Sequence, residues 1–308
     1  MLFDNNIKKI IQNNKNFYAP IINGALEFET LDYFRKKGFL YFSLSELDKQ
    51  IFYKDNLYSF SCNSDKIELN SSQAMKITAL SSIYDRVFSI NHCFRNEKHH
   101  DNVHLSEFKI LELEFLSNDE DEIFRVIDDY LIHIIFWYNG FIKTNKLTEL
   151  FEQVSINFPI ERKEYREIQS EYYKKKENLA FDDCYFCDMN ISYELKEPLY
   201  ITHYPSTGSW RAKKKDSENA YLYNLVLPYG YGELVEFSIR ETQYDIYKQK
   251  FDALGYTQHY EWYLEALKHN SNTRAGMGMG IERLGAWLMG LKQIGDQLVF
   301  PIYPCHET

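Results

Sequence analysis

Apolar and polar positions alternate without a break from Leu111 to Phe115. Leu111, Leu113 and Phe115 fall on one side; Ile110, Glu112 and Glu114 fall on the other. Period-two alternation predicts a strand with one core face and one face bearing carboxylates. The stretch Val87 to Arg95 is also strand-like, and a charged loop, Lys98 to Val103, joins the two. This predicts a hairpin able to close over an anion. Arg95 ends the first strand with a planar fork of donors suited to phosphate. Glu97 can accept from an exocyclic amine, and Phe108 on the return strand offers a ring face to a base. Taken alone, the same residues also fit a surface hairpin with an ordinary ion pair.

Other patterns predict the surrounding elements. Residues 1–20 read as a short helix and a linker reaching Pro20. Ile21 to Lys37 has helical spacing and stops at Gly38; Phe39 to Leu44 reads as a strand. Leu57 to Cys62 and Lys66 to Leu69 read as strands around a turn at Asn63-Ser64-Asp65, followed by a helix from Ser71 to Leu80. Gln73 and Lys76, three apart, share a face of that helix. Asp119 caps a helix to Tyr138. Leu147 to Leu179 reads as one or two helices ending in a solvated basic run, Lys174-Lys175-Lys176. Strands are predicted at Leu199–Tyr204, Tyr221–Leu227 and Gly232–Arg240, and a helix over Leu254–His269. Near the end, Gly276 to Leu284 reads Gly-Met-Gly-Met-Gly-Ile-Glu-Arg-Leu: a strand that another backbone or a ligand can approach closely, turning into an apolar helix with Arg283 near its start.

Composition narrows the class. A chain of 308 residues can bury a full core in one large domain. A net charge of -10 weighs against a broad nucleic-acid surface, though not against a local basic patch. Five cysteines form no disulfide framework, which fits a reducing cytoplasm. Cys184-x-x-Cys187 lacks the second pair that a structural zinc site needs. The N-terminus has no signal-peptide pattern, and the most apolar run, Leu131 to Trp137, is too short for a bilayer.

Phe94-Arg95-x-Glu97 together with Gly276 to Leu284 resembles motifs 2 and 3 of class-II aminoacyl-tRNA synthetases, closest to the aspartyl and asparaginyl enzymes. Gln73-x-x-Lys76 and the Gly232-Glu233 to Arg240-Glu241 segment resemble further signatures of that group, and the helix–Gly38–strand resembles its motif 1, the dimer element. The resemblance runs from about Ile21 to Pro304. It implies an α+β fold, an antiparallel sheet flanked by helices, over a single catalytic domain (1–308), with 1–20 an N-terminal extension and 147–197 a variable insertion.

The resemblance also implies ATP as substrate and Mg²⁺ as cofactor. Arg95 would bind the α-phosphate, Glu97 the adenine amine, Phe108 the ring, Arg283 the γ-phosphate and His104 the outer phosphates. Glu233, with Glu236, would carry the metal. Gln73, Lys76 and Arg240 would orient an aspartate-like amino acid.

Five departures matter. No anticodon-binding OB-fold is expected. Glu236-Phe237 stands where the group has small residues. Asn224 stands where it has an acidic metal residue, a loss that Glu236 could restore. Val103-His104 and Gly295 remove arginines near the nucleotide. Motif 1 ends on Leu44 rather than proline. The reading is a cytoplasmic, homodimeric ligase that forms an acyl-adenylate and passes it to ammonia or another small amine, resembling the archaeal asparagine synthetase related to asparaginyl-tRNA synthetase. The alternatives are a truncated ligase charging tRNA or a protein, and a non-catalytic paralog that binds amino acid or tRNA.

Overall fold

The structure is a computed structural model that describes residues 2–48, 57–63, 65–96, 101–175, 184–207 and 209–304. Its strands, in chain order, are β1 (Leu40–Tyr41), β2 (Leu47–Asp48), β3 (Ser59–Cys62), β4 (Asp65–Leu69), β5 (Arg86–Phe94), β6 (Glu107–Leu116), β7 (Glu161–Glu164), β8 (Leu199–Thr202), β9 (Leu222–Leu227), β10 (Gly232–Ile239) and β11 (Arg274–Gly280). The helices are α1 (Leu2–Gln12), α2 (Asn14–Lys36), α3 (Ala74–Ser81), α4 (Glu120–Thr144), α5 (Tyr165–Lys175), α6 (Cys184–Glu194), α7 (Tyr244–Leu254), α8 (Glu261–His269) and α9 (Ile281–Met289). Eight strands form one sheet in the order β1-β5-β6-β11-β10-β9-β8-β7, and β2, β4 and β3 form a small second sheet. The six central strands are antiparallel, but both edge strands pair in parallel: β1 with β5, and β7 with β8. The large sheet is therefore mixed, not purely antiparallel.

The alternation in β6 decides which side is which. Leu111, Leu113 and Phe115 enter the main core against α2, α4 and α9. Each such fully buried side chain contributes about 1.5–3 kcal/mol. Aromatic rings fill much of this layer; Phe124 of α4 packs edge-on against Tyr200 and Phe237. The other face carries Glu112 and Glu114, and the β6–β11 register sets Gly278 and Gly276 beside them. That polar face is partly roofed by α3, α6 and α8, and the space left over is the cleft.

Several elements differ from the sequence reading. The α2 helix begins at Asn14 under an Asn13 cap and runs through Pro20. One backbone bond is lost there, offset by burial of Ala19, Ile22 and Leu26. The strand expected over Phe39–Leu44 is only two residues long, and α3 starts at Ala74 with Gln73 as its cap. Residues 147–160 are not helical. The Asn139 side chain bonds both the N–H and the C=O of Val154, tying that segment down as irregular chain. It leads into β7, a charged strand with no apolar alternation to announce it. The helix expected over Leu254–His269 begins only at Glu261; Leu254 instead ends α7, which Gly255 at φ +73° terminates, and a 3-10 turn over Thr257–His259 lies between. Helix α6 was not anticipated. No helix among the described residues is long and apolar enough to cross a membrane.

Candidate active site

A cleft of about 470 Å³ opens over the polar face of the sheet. The β5–β6 hairpin supplies one wall. Its ladder continues past the strand end, where the Arg95 N–H donates to Ser106 O at 2.9 Å. This holds the Arg95 guanidinium over the Phe108 ring, 5.0 Å from its centroid. Arg283 arrives from the first turn of α9 and lines the same cleft. Its Nη1 donates to Glu233 O, and its Nη2 donates to Val103 O at 3.3 Å. The two arginines, 188 positions apart by their numbers, thus share one cavity. His104 also lines it, but its Nδ1 is tied to Asp101 Oδ2 at 2.6 Å. Glu97 lies outside the described residues.

Strand β10 carries the carboxylates. Glu233 and Glu236 are three apart, a spacing that would put them on opposite faces of an unbroken strand. A bulge between Glu233 and Val235 shifts the register, and both line the cleft. Burial pushes the Glu233 carboxyl up to about 8, helped by Glu236 and Asp188 and opposed by Arg283 and Arg95. Asn224 Nδ2 donates to Glu233 Oε2 at 3.0 Å and to Asp188 Oδ2 at 2.7 Å. Its Oδ1 is buried with no hydrogen-bond partner. The Glu233 carboxylate in the cleft, with the oxygens of a bound triphosphate, fits a hard cation that keeps several waters. Glu236 does not complete that set. It faces Arg211 at 3.6 Å, so its charge is already answered by a cation. Among the described residues, no group of three or more His, Cys, Asp and Glu is placed to hold an ion by itself. The side chains of Cys184 and Cys187 lie outside the described set.

The inner end is built on α3 and β6. Glu114 is fully buried and accepts from Thr78 Oγ1 at 2.5 Å, Ser81 Oγ at 2.9 Å and Arg240 Nε at 2.9 Å. Arg240 Nη1 donates to Ser238 Oγ at 2.7 Å. Arg240 lines the cleft, but its principal partner is a protein carboxylate. A Cβ at Gly276 would come within 2.4 Å of Glu114 Cγ and 2.8 Å of Arg240 Nη2, so glycine is required for the pair to pass over β11. Gly278 and Gly280 line the cleft, and a Cβ at either would meet its nearest protein neighbour at only 3.7 and 3.5 Å. Glu112 accepts from Ser72 Oγ at 2.5 Å and from the Gln73 N–H at 2.7 Å. Burial raises its pKa.

Gln73 and Lys76 part company here. Both donate to Ser45 O, at 2.9 and 3.1 Å. Lys76 lines the cleft beside Asp48, 3.2 Å from it, whereas Gln73 is buried and does not line it. As the helix cap, Gln73 is turned back toward the β2 segment instead of sharing a face with Lys76. Trp210, Tyr260 and Trp262 complete the lining at the α8 end. The sequence reading missed these rings, as well as Arg211 and Asp188. The rings sit in loops and short helices without periodicity. Asp188 sits on a helix that no pattern announced.

Residues 30–303 match the family of class II tRNA synthetases (D, K and N). The chain belongs to that family. It is an ATP-dependent ligase of the class-II synthetase kind. It is 26% identical to the asparagine–tRNA ligase of Lactobacillus johnsonii over 94% of this chain and 70% of that protein. It is 28% identical to the asparagine–tRNA ligase of Thermococcus kodakarensis over 71% of this chain and 53% of that protein. The fold matches the crystal structure of asparaginyl-tRNA synthetase from Pyrococcus horikoshii complexed with asparaginyl-adenylate: TM-score 0.87, 24% identity, 99% of this chain and 72% of that one. It also matches the Entamoeba histolytica asparaginyl-tRNA synthetase in complex with asparaginyl-adenylate, with TM-score 0.84 and 19% identity over 94% of this chain and 68% of that one.

Proposed function

We propose that the cleft activates an aspartate-like amino acid as its acyl-adenylate and passes the acyl group to ammonia or another small amine. The observation that carries this reading is the meeting of Arg95 and Arg283 in one cleft, with Phe108 under the first and Glu233 beside the second. Adenine lies on Phe108, and Glu97 accepts from its amine. Arg95 holds the α-phosphate, Arg283 the γ-phosphate, and His104 the outer phosphates from its Asp101-fixed position. Glu233 would hold Mg²⁺ together with the phosphate oxygens, and the metal would supply charge neutralisation to the triphosphate. Lys76 and Arg240 orient the amino acid. Gln73 acts indirectly, holding the Ser45 segment against which Lys76 rests.

The substrate carboxylate attacks the α-phosphorus in line, a P–O bond forms, and pyrophosphate leaves with the electrons of the broken bond. The amine then attacks the acyl carbon, loses a proton and displaces AMP. No protein nucleophile is required. Alignment and charge stabilisation supply the rate.

The small-amine acceptor is supported by the lining of the cleft. Asp48, Glu112, Glu233, Glu236 and Glu282 line it with Lys76, Arg95, Arg211, Arg240 and Arg283, so the lining carries no excess of positive charge to draw RNA phosphate, and Trp210, Tyr260 and Trp262 offer ring faces to a small cation. The net charge of -10 points the same way. The rival reading, transfer to tRNA, is favoured by the asparagine–tRNA ligases at 26% identity over 94% of the chain. Release of AMP with ammonia, a panel of small amines, hydroxylamine or tRNA decides between them. The reading expects amine-dependent turnover and no aminoacylated tRNA; charging of tRNA alone overturns it.

Phe17, Ile21 and Phe28 form one exposed stripe on α2, next to exposed Leu40 and Tyr41 of β1. A second copy of the chain covers that stripe in a homodimer. Sedimentation of a Phe28→Glu variant tests it: the wild type runs as a dimer and the variant as a monomer.

A further inference from the structure

The cleft side of the sheet repeats one arrangement in two neighbouring rows. In the inner row Glu114, Gly276 and Ser238 stand side by side on β6, β11 and β10; in the next row stand Glu112, Gly278 and Glu236. The Gly276 row is full, because the Arg240 side chain lies over it and donates to Glu114 and Ser238. The Gly278 row is open. A Cβ on Gly278 would meet nothing closer than Ile110 Cγ2 at 3.7 Å. Glu112 and Glu236 flank it two strand spacings apart, about 10 Å, and all three residues line the cleft.

Arg211 reaches this open row. Its backbone is held from two sides: the Glu241 N–H donates to Arg211 O at 2.8 Å, and Ala212 bridges to Arg240. The side chain lines the cleft, stands close enough to Glu112 to favour its ionised form, and comes within 3.6 Å of Glu236 Oε1. That separation is a charge contact, not a hydrogen bond. Lys76, Arg95, Arg240 and Arg283 each donate to a protein oxygen within 3.5 Å. Among the described residues, the Arg211 guanidinium donates to none, and the Glu236 carboxylate accepts from none. At 19% and 36% exposure both side chains keep access to the cleft. Their charges cancel, so the ligand that suits them carries both signs. A lone anion would strand Glu236, and a lone cation would strand Arg211.

We infer that Arg211 and Glu236 are the specificity pair for the amino-acid substrate: Arg211 takes the carboxylate that is not activated, and Glu236 takes the ammonium. The substrate class is a zwitterion with two carboxylates, lying over Gly278. Arg240, already answered by Glu114, closes the inner end of the slot. This rests on the adenylation reading given above.

The test is amino-acid-dependent pyrophosphate exchange by the full chain. Aspartate is the substrate, and succinate, which is aspartate without its ammonium, is a competing inhibitor. Arg211→Met raises the KM for aspartate about 10- to 100-fold, the scale of a lost hydrogen bond to a charged group, and far more than it raises the KM for ATP. Glu236→Gln raises the KM for aspartate about 5- to 10-fold. The same variant binds succinate more tightly than wild type does, because Arg211 no longer has a carboxylate to answer. A pocket that was merely damaged would lose both ligands alike. Both side chains are partly exposed, so neither substitution opens a core cavity. An aspartate KM unmoved in Arg211→Met, or no gain for succinate in Glu236→Gln, overturns the inference. So does wild-type exchange that asparagine supports as well as aspartate, since the second carboxylate would then be unread. Wild-type protein that exchanges with no amino acid refutes the adenylation reading itself, a distinct result from exchange that is indifferent to position 211.

Discussion

Glu114 is the counter-charge on which the inner end of the cleft depends, and Glu114→Gln isolates it. The Glu114 and Arg240 side chains are 1% and 4% exposed, with N and O at 2.9 Å. A second buried arginine, Arg274, also draws on the charge of Glu114. Removing one member of a buried pair leaves the other charge uncompensated, at about 3–5 kcal/mol. The hydroxyls of Thr78 and Ser81 keep at most one good acceptor, which adds about 1 kcal/mol. A loss of about 4–6 kcal/mol is a large part of the roughly 5–15 kcal/mol that holds an ordinary domain. Urea unfolding reads it as a lower midpoint at unchanged slope. Adding Arg240→Met to Glu114→Gln removes the stranded charge and recovers about 2 kcal/mol, a coupling that distant residues do not show. A Glu114→Gln midpoint within about 1 kcal/mol of wild type would refute the reasoning, and with it the claim that Arg240 meets a substrate with its charge already balanced.

Glu282 is buried and its carboxyl is pushed up to about 7 by that burial, against 4.5 in the open. The protonated form is favoured in the fold, so stability is fully present below pH 4.5 and falls by about 3 kcal/mol as pH rises to about 7. Glu282→Gln keeps the acceptor for the Lys109 N–H and should flatten that slope in urea melts; an unaltered slope assigns the titration elsewhere. Gly276→Ala forces a methyl against Glu114 and Arg240 and should cost about 1–3 kcal/mol, whereas Gly278→Ala should melt within about 0.5 kcal/mol of wild type and raise the KM for ATP or amino acid. Equal melting of the two alanine variants would contradict the steric account. Glu236→Gln should leave the Mg²⁺ half-saturation within about twofold and shift the amino-acid KM through Arg211, since losing a rim charge pair is worth about 1 kcal/mol; a metal titration displaced tenfold would return Glu236 to the cation site.

What the chain disclosed in advance followed from period and spacing. The alternation from Leu111 to Phe115 placed three residues in the core and two carboxylates on the opposite face, where the structure has Glu112 lining the cleft and Glu114 buried at its inner end. The glycine-rich strand and the arginine after it were equally legible, because a ligand-facing backbone and a charged helix start leave a local mark. The elements that escaped had none. Strand β7 is a run of charged residues whose state is set by pairing with β8. Helix α6 is held by Ser192 and by the fit of Met189 to Gly232, contacts made with residues about forty positions away. Glu233 and Glu236 share a face only through a bulge that the sequence spacing argues against. Gln73 and Lys76 were paired by helical spacing, and the helix starts one residue too late for that spacing to apply.

The account stands on two arginines serving one triphosphate, and amino-acid-dependent exchange of pyrophosphate into ATP measures that directly. Across a screen of amino acids, the wild type should exchange with an aspartate-like substrate, and Arg95→Ala and Arg283→Ala should each lower the rate about 100- to 1000-fold, the scale of one lost transition-state donor. Exchange that persists near the wild-type rate in either variant would contradict it.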